Sequence, residues 1–415
     1  MCPRSRRSAF PTTVCMATES ALLAPNFTVL PPLSLYIHIP WCIRKCPYCD
    51  FNSHEGAVQE REYINALMSD LESELPNFWG RTIHTIFIGG GTPSLFSADA
   101  IGEILAGVRA RTRLSPTAEI TLEANPGTFE MEKFAGYKSV GVNRLSIGIQ
   151  SFNDAHLKAL GRVHDSSEAR RAIEIGLATI GNVNLDVMFA LPASRTGALA
   201  QTMAECEADV RAALSFGTPH LSFYQLTLEP NTVFAKKPPP LPDHDLAADM
   251  QIHVETLLND AGYEHYETSG YAKAGQRCQH NLNYWSFGDY VGIGAGAHGK
   301  LSMPGSASAA PSIVRTERVK QPREFMQRAA SGNAVHERRE VRRSDVGFEF
   351  MLNALRLTDG FLVRDFETRT GFSIALVDRA LNVCEQRKLI TRDHLRIKPT
   401  ALGRTFLNQA ISEFL

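Results

Sequence analysis

The stretch CIRKCPYCDF, residues 42–51, sets Cys42, Cys46 and Cys49 in one short loop. Thiolates so close together point to a shared chemical task. A structural zinc ion takes four ligands, and His38 or His54 could complete the set. Cys46-Pro47-Tyr48-Cys49 also has the spacing of a redox dithiol. A cubane of four irons is the third reading: three cysteines would leave one iron open to a small molecule. Arg44 and Lys45 in the same loop would offset the negative charge of a thiolate-bound cluster. Further along, the glycine run of GGGTP (89–93) is a turn in which backbone N–H groups can approach an anionic ligand closely.

These groups need a framework, and the sequence describes one. LSLYIHI (33–39), TIHTIFIGGG (82–91), AEITLEANP (118–126), VNRLSIGIQS (142–151), NVNLDVMFALP (182–192) and HLSFYQLTLEP (220–230) read as strands. Helical spacing falls between them at 61–75, 99–112, near 129–139, at 166–180 and near 198–215. Some six strand–helix repeats predict an α/β fold, a parallel sheet built as a partial (β/α)6 barrel. The C-terminal edge of such a sheet carries the chemistry. Thr92, Glu123, Gln150, Asp186 and Gln225 fall near the strand ends there. Asp186 follows apolar positions, where an unpaired charge is costly, so it should face a ligand or a partner such as Arg162.

The remaining organisation is simpler. The barrel should span residues 33–300, followed by a linker region at 301–339 that includes the loop MPGSASAAPS (303–312). Helices and a hairpin at 340–415 predict an α+β winged-helix-like domain. Residues 1–32 read as a disordered tail, with Met1 or Met16 as the start. Of 415 residues, 44% are hydrophobic and 21% charged, and the net charge is -1. That balance argues against nucleic acid or an anionic membrane as principal partner. No apolar run reaches the ~18 residues of a membrane span. The eight cysteines include only one cluster, which fits a reducing, cytoplasmic setting rather than a disulfide framework.

The Cys-x-x-x-Cys-x-x-Cys loop after a first strand resembles the signature of the radical S-adenosylmethionine superfamily. YIHIPWC (36–42), GGGTPSL (89–95), NRLSIGIQSF (143–152), LGRVHD (160–165) and NLDVMFALP (184–192) further resemble the oxygen-independent coproporphyrinogen oxidase group and its HemW-like haem-chaperone relatives. The resemblance runs from residue 33 nearly to the end. It implies a [4Fe-4S] cluster on Cys42, Cys46 and Cys49, with S-adenosylmethionine on the open iron. It implies that Gly90, Gly91 and Thr92 hold the amino-acid end of that cofactor. Tyr36 would line the same site and Tyr48 would pack beside the cluster. Glu123 would face the amino or sulfonium group, with Gln150, Arg162 and Asp186 near the nucleoside or carboxylate. The glycines of YVGIGAGAHG (290–299) fail the dinucleotide spacing and would form a turn near the nucleoside.

Within that group the oxidases continue the motif with a further cysteine two residues after the third, where this chain has Phe51. They also carry a longer N-terminal segment than the short tail here. Both differences favour the chaperone, a binding protein that takes haem to client proteins, respiratory ones among them. Membrane-bound clients would bring peripheral membrane contact. Radical decarboxylation of coproporphyrinogen propionates is the alternative, and no catalytic residue is assigned. His280, Tyr284 and Trp285 in QHNLNYW match a haem-associated motif of the chaperones. His280 would be an axial ligand, the two aromatics would close the pocket, and Cys278 is a second candidate ligand.

Overall fold

A computed structural model describes residues 24–127, 131–193 and 200–415. Six strand–helix units follow one another. They are β1 (Leu33–Ile39) and α1 (Glu60–Phe78), β2 (Thr82–Gly90) and α2 (Ala98–Arg111), and β3 (Arg113–Ala124) and α3 (Phe134–Val140). β4 (Arg144–Gln150) and α4 (Ser166–Thr179), β5 (Val183–Phe189) and α5 (Met203–Ser215), and β6 (His220–Gln225) and α6 (His244–Asp260) complete the series. The expected strands and helices match these closely. The N-terminal ends of the helices expected near 129–139 and 198–215 lie outside the described residues. β1 is buried on nearly every residue, as a strand covered on both faces should be. Asp165 caps α4 with a reciprocal Glu168 contact, and Thr202 with Glu205 does the same for α5.

Beyond α6 come β7 (Glu264–Glu267), β8 (Gly270–Ala272), α7 (Gln279–Trp285), β9 (Asp289–Ile293), β10 (His298–Met303), β11 (Ser312–Arg318), α8 (Pro322–Ala329) and β12 (Val335–Glu340). The sheet order is β12-β11-β10-β9-β1-β2-β3-β4-β5-β6-β8-β7, so the sheet ends in free edges and does not close. Its middle is the expected parallel run, with one strand more: β9 pairs parallel with β1. Sequence reading took residues 290–299 for a turn because the glycines hide a strand. Gly292 is needed in that strand because a Cβ there would lie 1.9 Å from the His298 carbonyl oxygen.

The expected linker at 301–339 is corrected. Those residues form an antiparallel extension of the main sheet, with the MPGSASAAPS loop joining β10 to β11. It is locked by charge. Arg318 on β11, 1% exposed, meets Asp70 at 3.3 Å and Glu74 at 3.0 Å, both on α1. Lys300 on β10 meets Asp289 at 2.9 Å, and Arg81 reaches the same carboxylate at 2.8 Å. Part of the segment expected as a tail is packed on the fold. Asn26 N–H donates to the Gly371 carbonyl and Phe27 packs on the C-terminal core, while residues 1–23 lie outside the described residues.

The C-terminal domain has the expected winged-helix-like form. It contains α9 (Arg343–Ala354), β13 (Phe361–Leu362), α10 (Val363–Thr370), α11 (Asp378–Gln386), β14 (Ile390–Arg392), β15 (Arg396–Pro399) and two short final helices. Its three strands are ordered β13-β15-β14. Phe350 sits edge-on to Phe361 and Phe366, both at 4.9 Å, and 5.5 Å from Phe287 of the main domain.

Candidate functional site

Cys42, Cys46 and Cys49 line one cavity of about 500 Å3 at the C-terminal edge of the parallel strands. The loop holds its own shape. Cys49 N–H donates to the Cys46 carbonyl at 3.1 Å, and the Lys45 ammonium donates to the carbonyls of Phe51 and Ser53. Lys45 therefore braces the loop, while Arg44 lines the cavity. All three thiols are free and partly exposed. Burial pushes the Cys42 and Cys49 thiols up. At Cys42 this is opposed by Thr92 Oγ1, which donates to its Sγ at 3.4 Å, and Arg162 Nη1 lies 3.8 Å from Cys46 Sγ.

The strands supply the remaining walls. Thr92, Glu123, Gln150, Asp186 and Gln225, the polar residues expected at the strand ends, all line this cavity, as do Gly90, Gly91, Tyr48 and Arg162. Gly90 has φ +118°, and a Cβ there would strike the His38 ring at 2.5 Å. That backbone lets the Gly90 N–H donate to Glu123 Oε2 at 3.0 Å. Glu123 is pushed up to about 8, first by burial and then by the charge of Asp186. Asp186 is likewise raised by burial, opposed by hydrogen bonds from Ser146 Oγ at 2.9 Å and Asn184 Nδ2 at 2.8 Å. The expected Asp186–Arg162 pairing is not found. Arg162 donates instead to Asn125 Oδ1 at 2.8 Å and the Gly148 carbonyl at 2.7 Å. Its buried Nε has no partner among the described residues. Gln150 holds a left-handed backbone at φ +68° and accepts from the Tyr224 hydroxyl at 2.8 Å.

Sequence reasoning missed Asn125, Ser146, Asn184 and Tyr224. Asn125 could have been found in TLEANP, where it sits two residues after Glu123. It donates to Thr92 Oγ1 at 2.9 Å and accepts from Arg162, so it ties the glycine turn to the thiol loop. Tyr36 is not a cavity wall. Its hydroxyl lies 3.0 Å from His38 Nδ1 and its ring stacks on Phe87. The 290–299 glycines also lie away from the cavity. They brace the thiol loop from behind, through Asn52 Nδ2 donating to the Ala295 carbonyl at 2.9 Å.

The haem-motif residues lie apart from the cavity, near the opposite ends of the strands. α7 packs against β1, β2 and β9 through its one buried residue, His280, whose Nδ1 is 2.9 Å from Thr85 Oγ1 and whose ring lies 5.1 Å from Phe87. Burial holds His280 neutral, with its pKa driven down to about 3. Cys278 Sγ contacts Glu119 at 3.5 Å, and burial pushes that thiol up to about 12. Tyr284 packs between Trp285 and Tyr290 at 4.9 and 5.2 Å, and Arg356 of the C-terminal domain covers Trp285.

The donor set distinguishes the metal readings. Both ring nitrogens of His38 are engaged, by Tyr36 and by the Asn52 carbonyl, and His54 Nε2 is 3.1 Å from Asn52 Oδ1. Neither histidine lines the cavity with the three thiols. Among the described residues no three His, Cys, Asp or Glu converge closely enough for a single ion. Three thiols spread round a cavity, a cation on one of them, an orphaned guanidinium nitrogen and facing carboxylates fit a multi-iron cluster beside a charged small molecule.

This sheet with its three-thiol loop defines a radical SAM protein, and the model of the radical SAM superfamily matches residues 36–193. The HemN C-terminal domain model matches residues 341–406. With the radical SAM class come a [4Fe-4S] cluster and S-adenosylmethionine. The chain is 47% identical to the heme chaperone HemW of Escherichia coli over 93% of its own length and 99% of the relative's. It is 45% identical to HemW of Haemophilus influenzae, over 93% and 98%. The chain belongs to the HemW family. The solved structure of coproporphyrinogen III oxidase (HemN) from Escherichia coli shares the fold, with a TM-score of 0.75 over 93% of this chain and 90% of that one at 21% identity. Among the described residues no helix is long and apolar enough to cross a membrane.

Proposed function

We propose that this protein is a cytoplasmic haem chaperone that binds haem and delivers it to haem-requiring client proteins, including respiratory ones. The observation that carries this reading is the near full-length identity to HemW chaperones. Cys42, Cys46 and Cys49 would hold the cluster. Gly90, Gly91 and Thr92 would hold the amino-acid end of S-adenosylmethionine, with Glu123 countering its positive charge. Gln150, Arg162 and Asp186 would orient the rest, and Tyr48 would shield the cluster. When bound, the cluster supplies an electron for cleaving the sulfonium. The protein's own part is to exclude water, fix the ligand and balance its charges. The sequence motif offers His280, Tyr284 and Trp285 for haem, but α7 holds His280 against Thr85 and Phe87, and none of the three is assigned a haem role. Contact with a membrane would come only through membrane-bound clients, and no nucleic-acid partner is proposed.

Coproporphyrinogen oxidation is the alternative reading, and the oxidase shares this fold at low identity. Phe51, where the oxidases carry a cysteine, argues against it. The test is to reconstitute the cluster anaerobically and measure haem binding by Soret absorbance and coproporphyrinogen decarboxylation on the same sample. Stoichiometric haem binding without turnover is expected. Clear turnover overturns the proposal.

A further inference from the structure

Among the described residues twelve large apolar side chains are exposed. Five of them, Ile43, Phe51, Val163, Leu228 and Val233, lie on three segments that meet at the mouth of the cavity. Ile43 and Phe51, each 59% exposed, belong to the thiol loop, and Phe51 itself lines the cavity. Val163 follows Arg162, which contacts Cys46, and a Cβ on Gly161 would touch Pro47 at 2.8 Å. Leu228 stands between Thr227 and Glu229, both cavity residues. Val233 precedes Phe234, whose N–H donates to the Pro47 carbonyl at 3.0 Å and whose ring is 6.4 Å from Tyr48. Phe51 thus lines the polar cavity, and the other four are exposed on segments whose neighbours line it or touch the thiol loop; an apolar rim of this kind, a collar, marks a binding surface.

We infer that haem seats on this collar, over the cavity mouth. The inference rests on the haem-chaperone reading above. A porphyrin is a flat apolar disc with two carboxylates on one edge, and the rim has the matching parts. The disc would meet Phe51, Ile43 and the aliphatic residues opposite. Arg44 is exposed at the rim, lines the cavity and makes no ion pair among the described residues, so it faces a propionate. The interior alternative is closed: His280 is 9% exposed, with Thr85 at Nδ1 and Phe87 against its ring. A chaperone must also release its cargo to another protein, and a disc on the rim keeps one face open to the acceptor. The same disc covers the mouth, so haem should slow the departure of a small molecule from the cavity.

The test is haem titration of cluster-loaded protein with three variants: Phe51→Asp combined with Leu228→Asp, Arg44→Glu, and His280→Gln. Iron content and melting temperature check that each keeps its cluster and fold. The expected result is stoichiometric binding by the parent protein, weakened about tenfold or more by the collar pair. Arg44→Glu should weaken it several-fold, and His280→Gln should leave it unchanged. Wild-type affinity in the collar pair overturns the seat while the chaperone reading stands, and more firmly so if His280→Gln abolishes binding. A collar pair that keeps haem but changes only self-association or vesicle binding also overturns it, by assigning the collar to a second copy or a lipid surface. Absence of haem binding in the parent protein overturns both.

Discussion

Glu123 provides a quantitative test of how the cavity takes a cationic ligand. In the unloaded protein its pKa is about 8, because it is buried and faces Asp186, with the Gly90 N–H opposing the shift. Below pH 8 the carboxyl is therefore mostly protonated. A bound positive amino or sulfonium group favours the ionised form, so binding releases a proton. Affinity then rises with pH up to about 8 and levels above it. Between pH 6.5 and 8.5 the contribution of Glu123 is about 25-fold, or about 2 kcal/mol. The assay is equilibrium binding of S-adenosylmethionine to cluster-loaded protein at several pH values, beside Glu123→Gln. The ligand's own amino group titrates in both proteins, so the difference between their slopes isolates Glu123. The variant should bind weakly at pH 8.5 and lose the extra slope. Identical slopes refute the reasoning. The sign for folding is opposite. The raised acid stabilises the fold at low pH and loses that contribution as pH rises from about 4.5 to 8, so unloaded Glu123→Gln should melt higher than the parent at pH 8.5.

Other expectations are simpler. Cys46→Ser should lose iron and sulfide on reconstitution while the apoprotein keeps its far-ultraviolet circular dichroism; full iron content in the variant would contradict the ligand assignment. Arg318→Met leaves Asp70 and Glu74 buried without their cation and should cost about 3–5 kcal/mol in denaturant unfolding. A loss below 1 kcal/mol would show that this cluster does not lock the sheet extension. Phe350→Ala should cost about 3–5 kcal/mol and lower the melting temperature of the C-terminal domain. Asn125→Ala should weaken S-adenosylmethionine binding with little change in melting temperature, because it joins Thr92 to Arg162. A change in stability alone would make it merely structural.

Much of the site was legible because strand period and direction locate a sheet edge. Thr92, Glu123, Gln150, Asp186 and Gln225 come from five different units, yet share one cavity. Asn125 and Tyr224 escaped because their importance lies in partners that sequence distance conceals. Tyr224 meets Gln150 across 74 positions.

The amino-acid sequence by itself determined the thiol spacing, the six strand–helix units and the winged-helix-like ending. Each is written in local pattern: residue type, strand or helical period, and capping chemistry. Only the tertiary structure decided what is non-local. It made 301–339 part of the main sheet, because Arg318 found Asp70 some 248 positions away. It turned a glycine stretch into β9, because pairing with Leu33–Ile37 supplies hydrogen bonds that no local signal announces. It also placed His280 against Thr85 in the interior and Phe51 at the cavity rim. A sequence shows that an imidazole and a benzyl ring are available; three-dimensional packing decides which of them meets solvent.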